Sequence, residues 1–205
     1  MPRGYPVALN QLINTFAKLP GVGEKTAQRF SLFLLSHPEL CETLGDLIKE
    51  LPYRVKLCKV CRNFSENELC SICQDDTREK ELLCIVENPV TLYHIESTGV
   101  YRGYYFVLHY LLSPKDGIGP KEIGLEELTF LIKTRGVKEV FIALSPTMSG
   151  EATATYILQH LKNEPVKVTK LACGVPMGME IQFVDPLTLK KAITGRECLK
   201  NGQTL

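Results

Sequence analysis

Apolar side chains recur at helical spacing through the first fifty residues of the chain. Between residues 8 and 18 they return about once per turn, as expected for one face of a helix. The same spacing predicts a second helix at about 25–36 and a third at about 40–51, which Pro52 is expected to end. The side chains of the second helix expected to face inward are Ala27, Phe30, Phe33 and Leu34. The pattern predicts a small helical unit over residues 1–53.

The pattern changes after Thr77, where short apolar or alternating runs indicate strands. The predicted strands are Leu82–Val86, Tyr104–Leu108, Glu139–Leu144, Val166–Leu171 and Ile181–Val184. Helical patterns lie between them, near 89–98, 121–134 and 150–163. Strands that alternate with helices predict βαβ units, so the expected class is α/β (α+β overall) with a mainly parallel sheet at 78–172. A C-terminal segment at 173–205 follows it.

Four cysteines form two pairs of the form Cys-x-x-Cys, Cys58 with Cys61 and Cys70 with Cys73. Two such pairs this close in sequence can place four thiolates around one ion, and Zn²⁺ takes that tetrahedral geometry. The segment between the pairs is too short and polar to form a core, so a metal must hold it. The spacing therefore predicts a four-cysteine zinc finger at 54–77 whose zinc is structural, because a closed shell of four thiolates has no open position for a substrate.

Two alternatives stay open for these cysteines, a pair of disulfides and an iron ion in a rubredoxin-like site. The remaining cysteines occur singly, mostly in apolar surroundings: Cys41, Cys84, Cys173 and Cys198. They are expected to be buried free thiols of a reducing cytoplasm, an environment that favours metal binding over disulfides.

The composition is that of a globular protein, with 44% hydrophobic and 23% charged residues among 205. No apolar run approaches the 18 residues of a membrane-spanning helix, so no membrane association is expected. The N-terminal residues lack the apolar core of a secretion signal. Together these observations predict a cytoplasmic protein.

Positive charge is concentrated in the N-terminal third, although the net charge is only +1. The bases within residues 1–38 are Arg3, Lys18, Lys25 and Arg29. The only acid there is Glu24, and residues 54–62 contain four bases and no acid. The two basic clusters fit either a weakly basic surface that binds nucleic acid or two solvent-exposed faces that bind no ligand.

A helix-hairpin-helix pattern lies between the first two predicted helices, in Leu-Pro-Gly-Val-Gly-Glu-Lys-Thr-Ala at 19–27. Gly21 and Gly23 permit a tight turn that leaves backbone N–H groups free at the start of the second helix. Such donors bind a phosphate oxygen without reading sequence. Lys25 and Arg29 are four residues apart and share a helix face, so they could hold neighbouring phosphates. The alternative is a plain helical hairpin whose glycines only turn the chain.

A candidate catalytic carboxylate, Glu87, follows the first predicted strand. A Mg²⁺-dependent phosphoryl-transfer site needs two or three such carboxylates around the metal. The later strand ends in hydroxyls instead, Ser145 and Thr147, and Glu151 lies in the next helix. Nothing marks a hydrolase nucleophile or a phosphate-binding P-loop. The small number of carboxylates available to a Mg²⁺ ion argues against catalysis. His109, near the glycine-rich loop, is interpreted as a residue that anchors this loop.

Taken together, these segments resemble one family, RecR, the recombination mediators of the bacterial RecF–RecO–RecR DNA-repair pathway. The segments that carry the resemblance are Leu-Pro-Gly-Val-Gly-Glu-Lys-Thr-Ala-Gln-Arg (19–29), the four paired cysteines, Cys-Ile-Val-Glu (84–87), Tyr-Arg-Gly-Tyr-Tyr-Phe-Val-Leu (101–108), Leu-Ser-Pro-Lys-Asp-Gly-Ile-Gly-Pro (112–120), Gly-Glu-Ala-Thr-Ala (150–154), Gly-Val-Pro-Met-Gly (174–178) and Thr-Leu-Lys-Lys-Ala-Ile-Thr-Gly-Arg (188–196). Each motif alone is common, but their order and spacing are specific to the family.

The resemblance implies a Toprim-type domain from residue 78 onward, without topoisomerase or nuclease activity. It also implies a homodimeric or homotetrameric ring, joined through the N-terminal helices and the C-terminal tail, that encircles DNA. By position, Lys25 and Arg29 match the DNA-facing bases of the family, and the paired cysteines match its zinc ligands. The chain departs from the family pattern at Ser145, where Asn is usual, and at Ser149, where an acid is usual.

The resulting hypothesis is a non-enzymatic clamp and adaptor that binds single-stranded and duplex DNA without sequence preference. It would act with RecO and RecF to load recombinase on gapped single-stranded DNA. One alternative is a Mg²⁺-dependent Toprim nuclease or topoisomerase-like enzyme. Another is a zinc-ribbon regulator that binds only protein partners.

Overall fold

The computed structural model describes residues 4–196, which fall in two compact units. The first unit ends at Lys56 and the second begins at Leu57. The helices of the first unit are α1 Val7–Phe16, α2 Glu24–Leu35 and α3 Pro38–Arg54. All three expected helices are therefore confirmed, with limits that differ by a few residues from those expected.

Packing in the first unit centres on the contact between α1 and α2. Ile13, Ala27 and Leu34 are buried there, and the ring of Phe16 meets Phe30 edge-on with centroids 6.1 Å apart. Ser31 is also fully buried, and its hydroxyl donates a 2.9 Å hydrogen bond to the Ala27 carbonyl. This bond satisfies a buried polar group, so a serine is tolerated in the core of the hairpin.

The expectation that Phe30 and Phe33 face inward is wrong. Their side chains are 40% and 51% exposed, and Phe33 stacks on the His37 ring at 4.0 Å. Helix α2 packs mainly on α1, and α3 buries none of its residues. Within this unit only a narrow stripe of α2 is therefore covered.

Pro52 does not end α3, contrary to expectation. The helix continues to Arg54, and the Val55 N–H donates to the Leu51 carbonyl at 3.0 Å. A proline removes the hydrogen bond that its own nitrogen would make, and its ring crowds the carbonyl four residues earlier, but it leaves the bonds of the following residues possible. Near the end of a helix that loss affects one bond, so the final turn can still form.

The second unit begins with the segment that holds the paired cysteines. Its elements are β1 Lys56–Leu57, β2 Phe64–Ser65 and the short helix α4 Ser71–Gln74. Strands β1 and β2 pair with each other as a two-stranded sheet.

A four-stranded parallel sheet forms the centre of the second unit. Its strands are β3 Glu79–Val86, β4 Gly103–Val107, β5 Glu139–Ala143 and β6 Lys167–Lys170. They lie in the order β4-β3-β5-β6, and each pair of neighbours is parallel. The helices between them are α5 Pro89–Ser97, α6 Leu125–Arg135 and α7 Met148–His160. The α/β class and the βαβ units are therefore confirmed.

The two faces of the sheet bury different partners, because successive side chains of a strand point to opposite sides. One cluster joins the sheet to α6 and α7 and includes Leu83, Ile85, Phe106, Leu128 and Ile157. The other cluster includes Cys84, Val86, Leu92, Tyr105 and the four paired cysteines. The cysteine segment thus shares a hydrophobic core with the sheet.

The expected fifth strand at Ile181–Val184 is wrong. Ile181–Phe183 forms a short 3₁₀ turn whose side chains are exposed, and helix α8 follows at Pro186–Thr194. The side chain of Asp185 caps this helix by accepting hydrogen bonds from the N–H groups of Leu187 and Thr188 at 3.1 and 3.0 Å. The alternating pattern imitates a strand, but an aspartate before a proline is a helix-start signal.

The single cysteines only partly match expectation. Cys84 is fully buried, and burial raises the pKa of its thiol. Cys41 and Cys173 are exposed, so the expectation of burial is wrong for both, and Cys198 lies outside the described residues. Both exposed thiols lie on surfaces of α3 and the C-terminal segment where little else packs.

None of the helices within residues 4–196 has the length and apolar character needed to cross a membrane.

A partly buried ion pair fastens α5 to the start of the sheet, and we expect it to make stability depend on pH. Glu96 accepts from the Tyr105 hydroxyl at 2.7 Å and from Arg78 at 3.0 Å, and Arg78 also donates to the Gly103 carbonyl at 2.8 Å. Burial raises the pKa of Glu96, but the bonds from Arg78 and Tyr105 outweigh it, so the pKa is lowered.

Glu96→Gln should therefore lower the free energy of unfolding by about 1–3 kcal/mol at pH 7. A lowered pKa in the folded state stabilises above the unfolded pKa, and this contribution is lost as pH falls through the folded value. The difference from wild type, measured by urea unfolding, should shrink below about pH 4. The control is Glu81→Gln, which breaks an exposed pair with Lys138 and should change stability by less than about 1 kcal/mol. Equal effects of the two changes would contradict the prediction.

Candidate metal centre and nucleic-acid interface

The four paired cysteines converge on one point of the second unit. Cys58, Cys61, Cys70 and Cys73 are all buried, and their sulfur atoms lie within 4.8 Å of one another. The Sγ atoms of Cys61 and Cys70 are 3.4 Å apart. A tetrahedron with metal–sulfur bonds of about 2.3 Å has edges of about 3.8 Å, so the four atoms fit one ion.

Backbone hydrogen bonds shape the first pair of ligands. The Cys58 N–H donates to the Asn63 carbonyl at 2.7 Å, and the Arg62 N–H donates to the Cys58 carbonyl at 3.0 Å. Arg62 has a φ of +63°, a left-handed conformation that turns the chain after Cys61. The turn aims the Asn63 N–H at the Cys61 sulfur, 3.4 Å away.

The second pair of ligands is positioned by the start of α4. Cys70 precedes this helix and Cys73 lies within it. The Cys70 N–H donates to the Cys58 sulfur at 3.4 Å, which links the two pairs. N–H groups directed at sulfur favour the thiolate form that binds metal.

The crowding of four thiols has a clear electrostatic consequence. Hydrogen bonds from the other three thiols, first from Cys61, lower the pKa of Cys58, and the contact with Cys58 raises the pKa of Cys61. Four thiolates this close together repel one another unless a cation compensates their charge. A divalent cation among four sulfurs would allow all of them to ionise.

The cysteine segment is joined to strand β4 by contacts that the sequence did not reveal. The Val107 N–H donates to the Cys61 carbonyl at 2.9 Å, and His109 Nε2 donates to the Arg62 carbonyl at 2.6 Å. His109 has a φ of +66° and, with Arg62, is one of two non-glycine residues with positive φ in the described chain. His109 is thus a loop anchor, as expected, and its partner is the metal-binding turn.

A second region, the hairpin between α1 and α2, presents bare backbone donors. Gly21 has a φ of +77°, which a residue with a side chain adopts only with strain. Gly23 precedes α2 and cannot cap it with a side chain. Among the described residues no acceptor contacts the first N–H groups of α2, as is usual for an uncapped helix start.

The backbone conformation of Gly21 requires glycine, but that of Gly23 does not. Gly23 has an ordinary φ of −80°, and a Cβ atom built on it would meet nothing within 4 Å. The fold itself would therefore accept a larger residue there. Glycine at such a position allows another molecule to approach the backbone closely.

The bases expected to accompany this turn both lie on α2 and are exposed. Lys25 is in the first turn and Arg29 follows one turn later, so both project from the same face. Within residues 4–196 neither base forms an ion pair. Their charges are available to a ligand of opposite sign.

The acids proposed for a catalytic site have protein partners instead. Glu87 accepts a 2.8 Å hydrogen bond from the Ser145 hydroxyl at the end of β5. Glu151 accepts one of 2.6 Å from Lys170, a contact that lowers the pKa of the carboxyl, and Lys191 of α8 lies 3.7 Å away. Within the described chain, the paired cysteines form the one cluster of three or more metal-ligating groups.

Comparisons with known proteins match four consecutive segments of the chain to family models. Family models match as follows: "RecR, helix-hairpin-helix" at residues 9–51, "RecR, Cys₄-zinc finger domain" at 55–75, "Toprim domain" at 81–172 and "RecR, C-terminal" at 174–197.

Curated relatives match over nearly their whole length. The "Recombination protein RecR" of Syntrophobacter fumaroxidans is 43% identical over 195 residues, which are 95% of this chain and 97% of the relative. That of a Thermus thermophilus strain is 45% identical over 192 residues, 94% of this chain and 97% of the relative. That of Clostridium perfringens is 42% identical over 193 residues, which are again 94% of this chain and 97% of the relative. The chain therefore belongs to the RecR family of DNA-repair recombination proteins.

Proposed function

We propose that this protein is a non-enzymatic DNA clamp and adaptor that acts in recombinational repair. The observation that carries the proposal is the hairpin before α2, where free backbone donors lie beside the exposed Lys25 and Arg29. N–H groups and the positive end of a helix dipole bind phosphate, which every nucleic acid presents. We therefore expect binding to single-stranded and duplex DNA without sequence preference, in the cytoplasm, where bacterial DNA lies.

Self-association would let such a protein retain DNA with few charges, because a closed ring holds its ligand by topology. Exposed apolar residues on α3, including Leu47, Ile48 and Leu51, support an interface between N-terminal units. Exposed apolar residues in the C-terminal segment, including Phe183 and Leu187, support a second interface. A homodimeric or homotetrameric ring that binds RecO and RecF and loads recombinase at gaps is the arrangement that we propose.

We propose zinc as the ion of the four-cysteine site, in a structural role. Four thiolates fill a tetrahedral shell, so no position is open for substrate or for an activated water. The burial of all four cysteines in the core beneath the sheet supports a contribution to folding.

The alternative of a Mg²⁺-dependent Toprim enzyme has less support. The Glu87 carboxylate is engaged by Ser145, and Glu151 is compensated by Lys170 and Lys191. A lysine beside a carboxylate opposes the binding of a cation. Catalysis would require both groups to exchange these partners for a metal.

A gel shift with end-labelled gapped DNA tests the clamp against the enzyme. Each binding reaction is run with and without Mg²⁺, and half of each sample is denatured before loading. A shifted complex with intact strands after denaturation is expected. Shortened or protein-linked strands would show a working metal site near Glu87 and would overturn the non-enzymatic assignment.

Gly23→Ala separates a DNA-binding turn from a merely structural one. The melting temperature should change by less than about 2 °C, because the added Cβ meets nothing and the φ is ordinary. DNA affinity should fall by about tenfold or more, because a methyl group would keep phosphate from the backbone donors. Both quantities can be measured on one preparation, by differential scanning fluorimetry and by fluorescence anisotropy.

The paired control is Gly21→Ala, where the positive φ of +77° makes the change strained. This variant should lose stability as well as affinity. Full DNA affinity in Gly23→Ala would mean that the hairpin does not contact phosphate.

A further inference from the structure

One residue closes both ends of a surface loop, and that residue directly follows a cysteine of the metal site. The loop comprises residues 110–121 and follows strand β4, so it is the β4 loop. His109, just before it, donates to the Arg62 carbonyl at 2.6 Å. The Arg62 guanidinium donates through Nη2 to the carbonyl of Glu122, just after the loop, at 3.3 Å. Arg62 therefore holds the two ends of the β4 loop together.

The side chain of Arg62 fits against the start of α6 only because residue 124 is glycine. A Cβ atom built on Gly124 would collide with the Arg62 guanidinium, and Gly124 itself has a φ of +74°. The guanidinium carbon lies 5.6 Å from the centre of the Phe106 ring. Its Nη1 atom is buried, with no hydrogen-bond acceptor among residues 4–196. A buried cationic nitrogen without an acceptor is unfavourable, so the surrounding backbone must hold this side chain in place.

The backbone of Arg62 is in turn held by the four-cysteine site. Its φ of +63° and the φ of +66° at His109 are disfavoured for residues with a side chain, and such conformations persist only where the surroundings fix them. The Arg62 N–H donates to the Cys58 carbonyl at 3.0 Å, and the N–H of Asn63 points to the Cys61 sulfur. Both cysteines would bind the same ion, so metal binding would stabilise the turn at Arg62.

Within the described chain, the β4 loop has few other hydrogen bonds to the rest of the second unit. The Leu112 N–H donates to the hydroxyl of Thr153, a buried residue of α7, at 2.9 Å. Ser113 and Ile118 pair across the loop through bonds of 3.0 and 3.1 Å, and residues 114–117 are exposed. Leu112 and Ile118 pack against the core but are only partly buried. A segment with so few buried contacts opens locally at low cost, so closure at its two ends governs its order.

We propose that metal binding controls the order of the β4 loop and that Arg62 transmits the effect. With metal bound, the turn after Cys61 places the guanidinium against Gly124 and the Arg62 carbonyl opposite His109, and the loop is closed. Without metal, the turn relaxes and both ends of the loop are released together.

This role of the metal goes beyond the structural one in the proposed function. The β4 loop begins at the carboxyl end of a parallel strand, the edge of an open sheet where ligands bind. Glu87 and Ser145 lie at the same edge, after β3 and β5. Loss of the metal would therefore change the surface that this edge of the sheet offers, as well as the stability of the fold.

Hydrogen exchange of the metal-loaded full chain tests the effect on the loop. Arg62→Asn removes the guanidinium, and asparagine tolerates a positive φ, so the turn and the bound ion should remain. Exchange of a peptide spanning 110–121, measured by mass spectrometry, should become about tenfold faster, the loss expected for a hydrogen bond to a charged group. Peptides of β3 and β5 should exchange as in wild type. The control is Lys59→Asn, which removes a neighbouring exposed base paired with Glu68 and should leave loop exchange unchanged.

Coupling between two sites is reciprocal, so a change that displaces Arg62 must also weaken metal binding. Gly124→Ala displaces the guanidinium without touching a cysteine and should lower zinc affinity by about tenfold, measured by competition with a chromophoric chelator. The matched control is Gly136→Ala at the other end of α6. Its φ of +66° imposes similar strain, but its Cβ would meet nothing within 4 Å, so zinc affinity should equal that of wild type.

The double variant Arg62→Asn with Gly124→Ala separates the proposed coupling from backbone strain at residue 124. Without the guanidinium the new methyl group has nothing to displace, so zinc affinity should equal that of Arg62→Asn alone. Additive losses in the double variant would overturn the role of Arg62. Unchanged loop exchange in Arg62→Asn, or equal zinc affinities of Gly124→Ala and Gly136→Ala, would overturn the coupling itself.

Discussion

Cys58→Ser with Cys61→Ser is expected to abolish metal binding and to cost about 4 kcal/mol or more of stability, the scale of losing a metal site. The reason lies in the packing, because both residues share a buried cluster with Val86, Tyr105 and Val107 of the sheet. Serine oxygens in that cluster would lack the metal and lie among apolar side chains. For a chain of this size the loss corresponds to a fall in melting temperature of about 8–16 °C.

Elemental analysis and thermal unfolding of the same samples check this expectation. Zinc at one ion per chain in the wild type would also decide against iron, and thiol counting after alkylation would decide against disulfides. The matched control is Cys41→Ser with Cys173→Ser, which changes two exposed cysteines and should affect neither quantity. A double variant without metal that melts at the wild-type temperature would refute a structural role.

The second large effect is expected from Lys25→Ala with Arg29→Ala, which should weaken binding to all DNA sequences alike. Each base that neutralises a phosphate of duplex DNA makes the slope of log affinity against log salt more negative by about 0.9. The double change should therefore make that slope less negative by about 1.8. Fluorescence anisotropy at several salt concentrations, on two unrelated sequences, measures both quantities.

The charge-matched control is Lys115→Ala with Lys162→Ala, which removes two exposed bases of the second unit. Its salt slope should match that of wild type. If the slope is also unchanged in the Lys25 and Arg29 variant, the phosphate contacts would belong to the basic run at 54–62 instead.

The strands of the sheet could be predicted because burial on both faces leaves a distinctive sequence. Leu82–Val86 reads as a continuous apolar run, and in the structure its residues pair with β4 on one side and β5 on the other. Ile181–Val184 has an alternating pattern that also predicts a strand, yet the described chain places no strand beside it. Local sequence does not encode whether a neighbouring strand exists, so the tertiary structure determines whether such a segment forms a strand.

The candidate sites likewise have features that could be predicted from the sequence and features that could not. The paired cysteines and the glycine-rich hairpin follow from residue type and spacing, which chemistry constrains tightly. The Arg62–His109 contact does not, because it joins residues 47 apart in sequence and depends on positive φ at both. The exposure of Phe130 was also hidden, since an aromatic residue within an amphipathic helix normally belongs to the core.

The bond from Val107 to the Cys61 carbonyl has a consequence for solubility. Strand β4 is an edge of the sheet, and its sequence Gly-Tyr-Tyr-Phe-Val carries no charge. Uncovered edges of this kind recruit strands from other molecules. The Cys61 carbonyl takes the Val107 N–H at that edge, so an ion that fixes Cys61 would also help to keep this end of the edge from pairing with another chain.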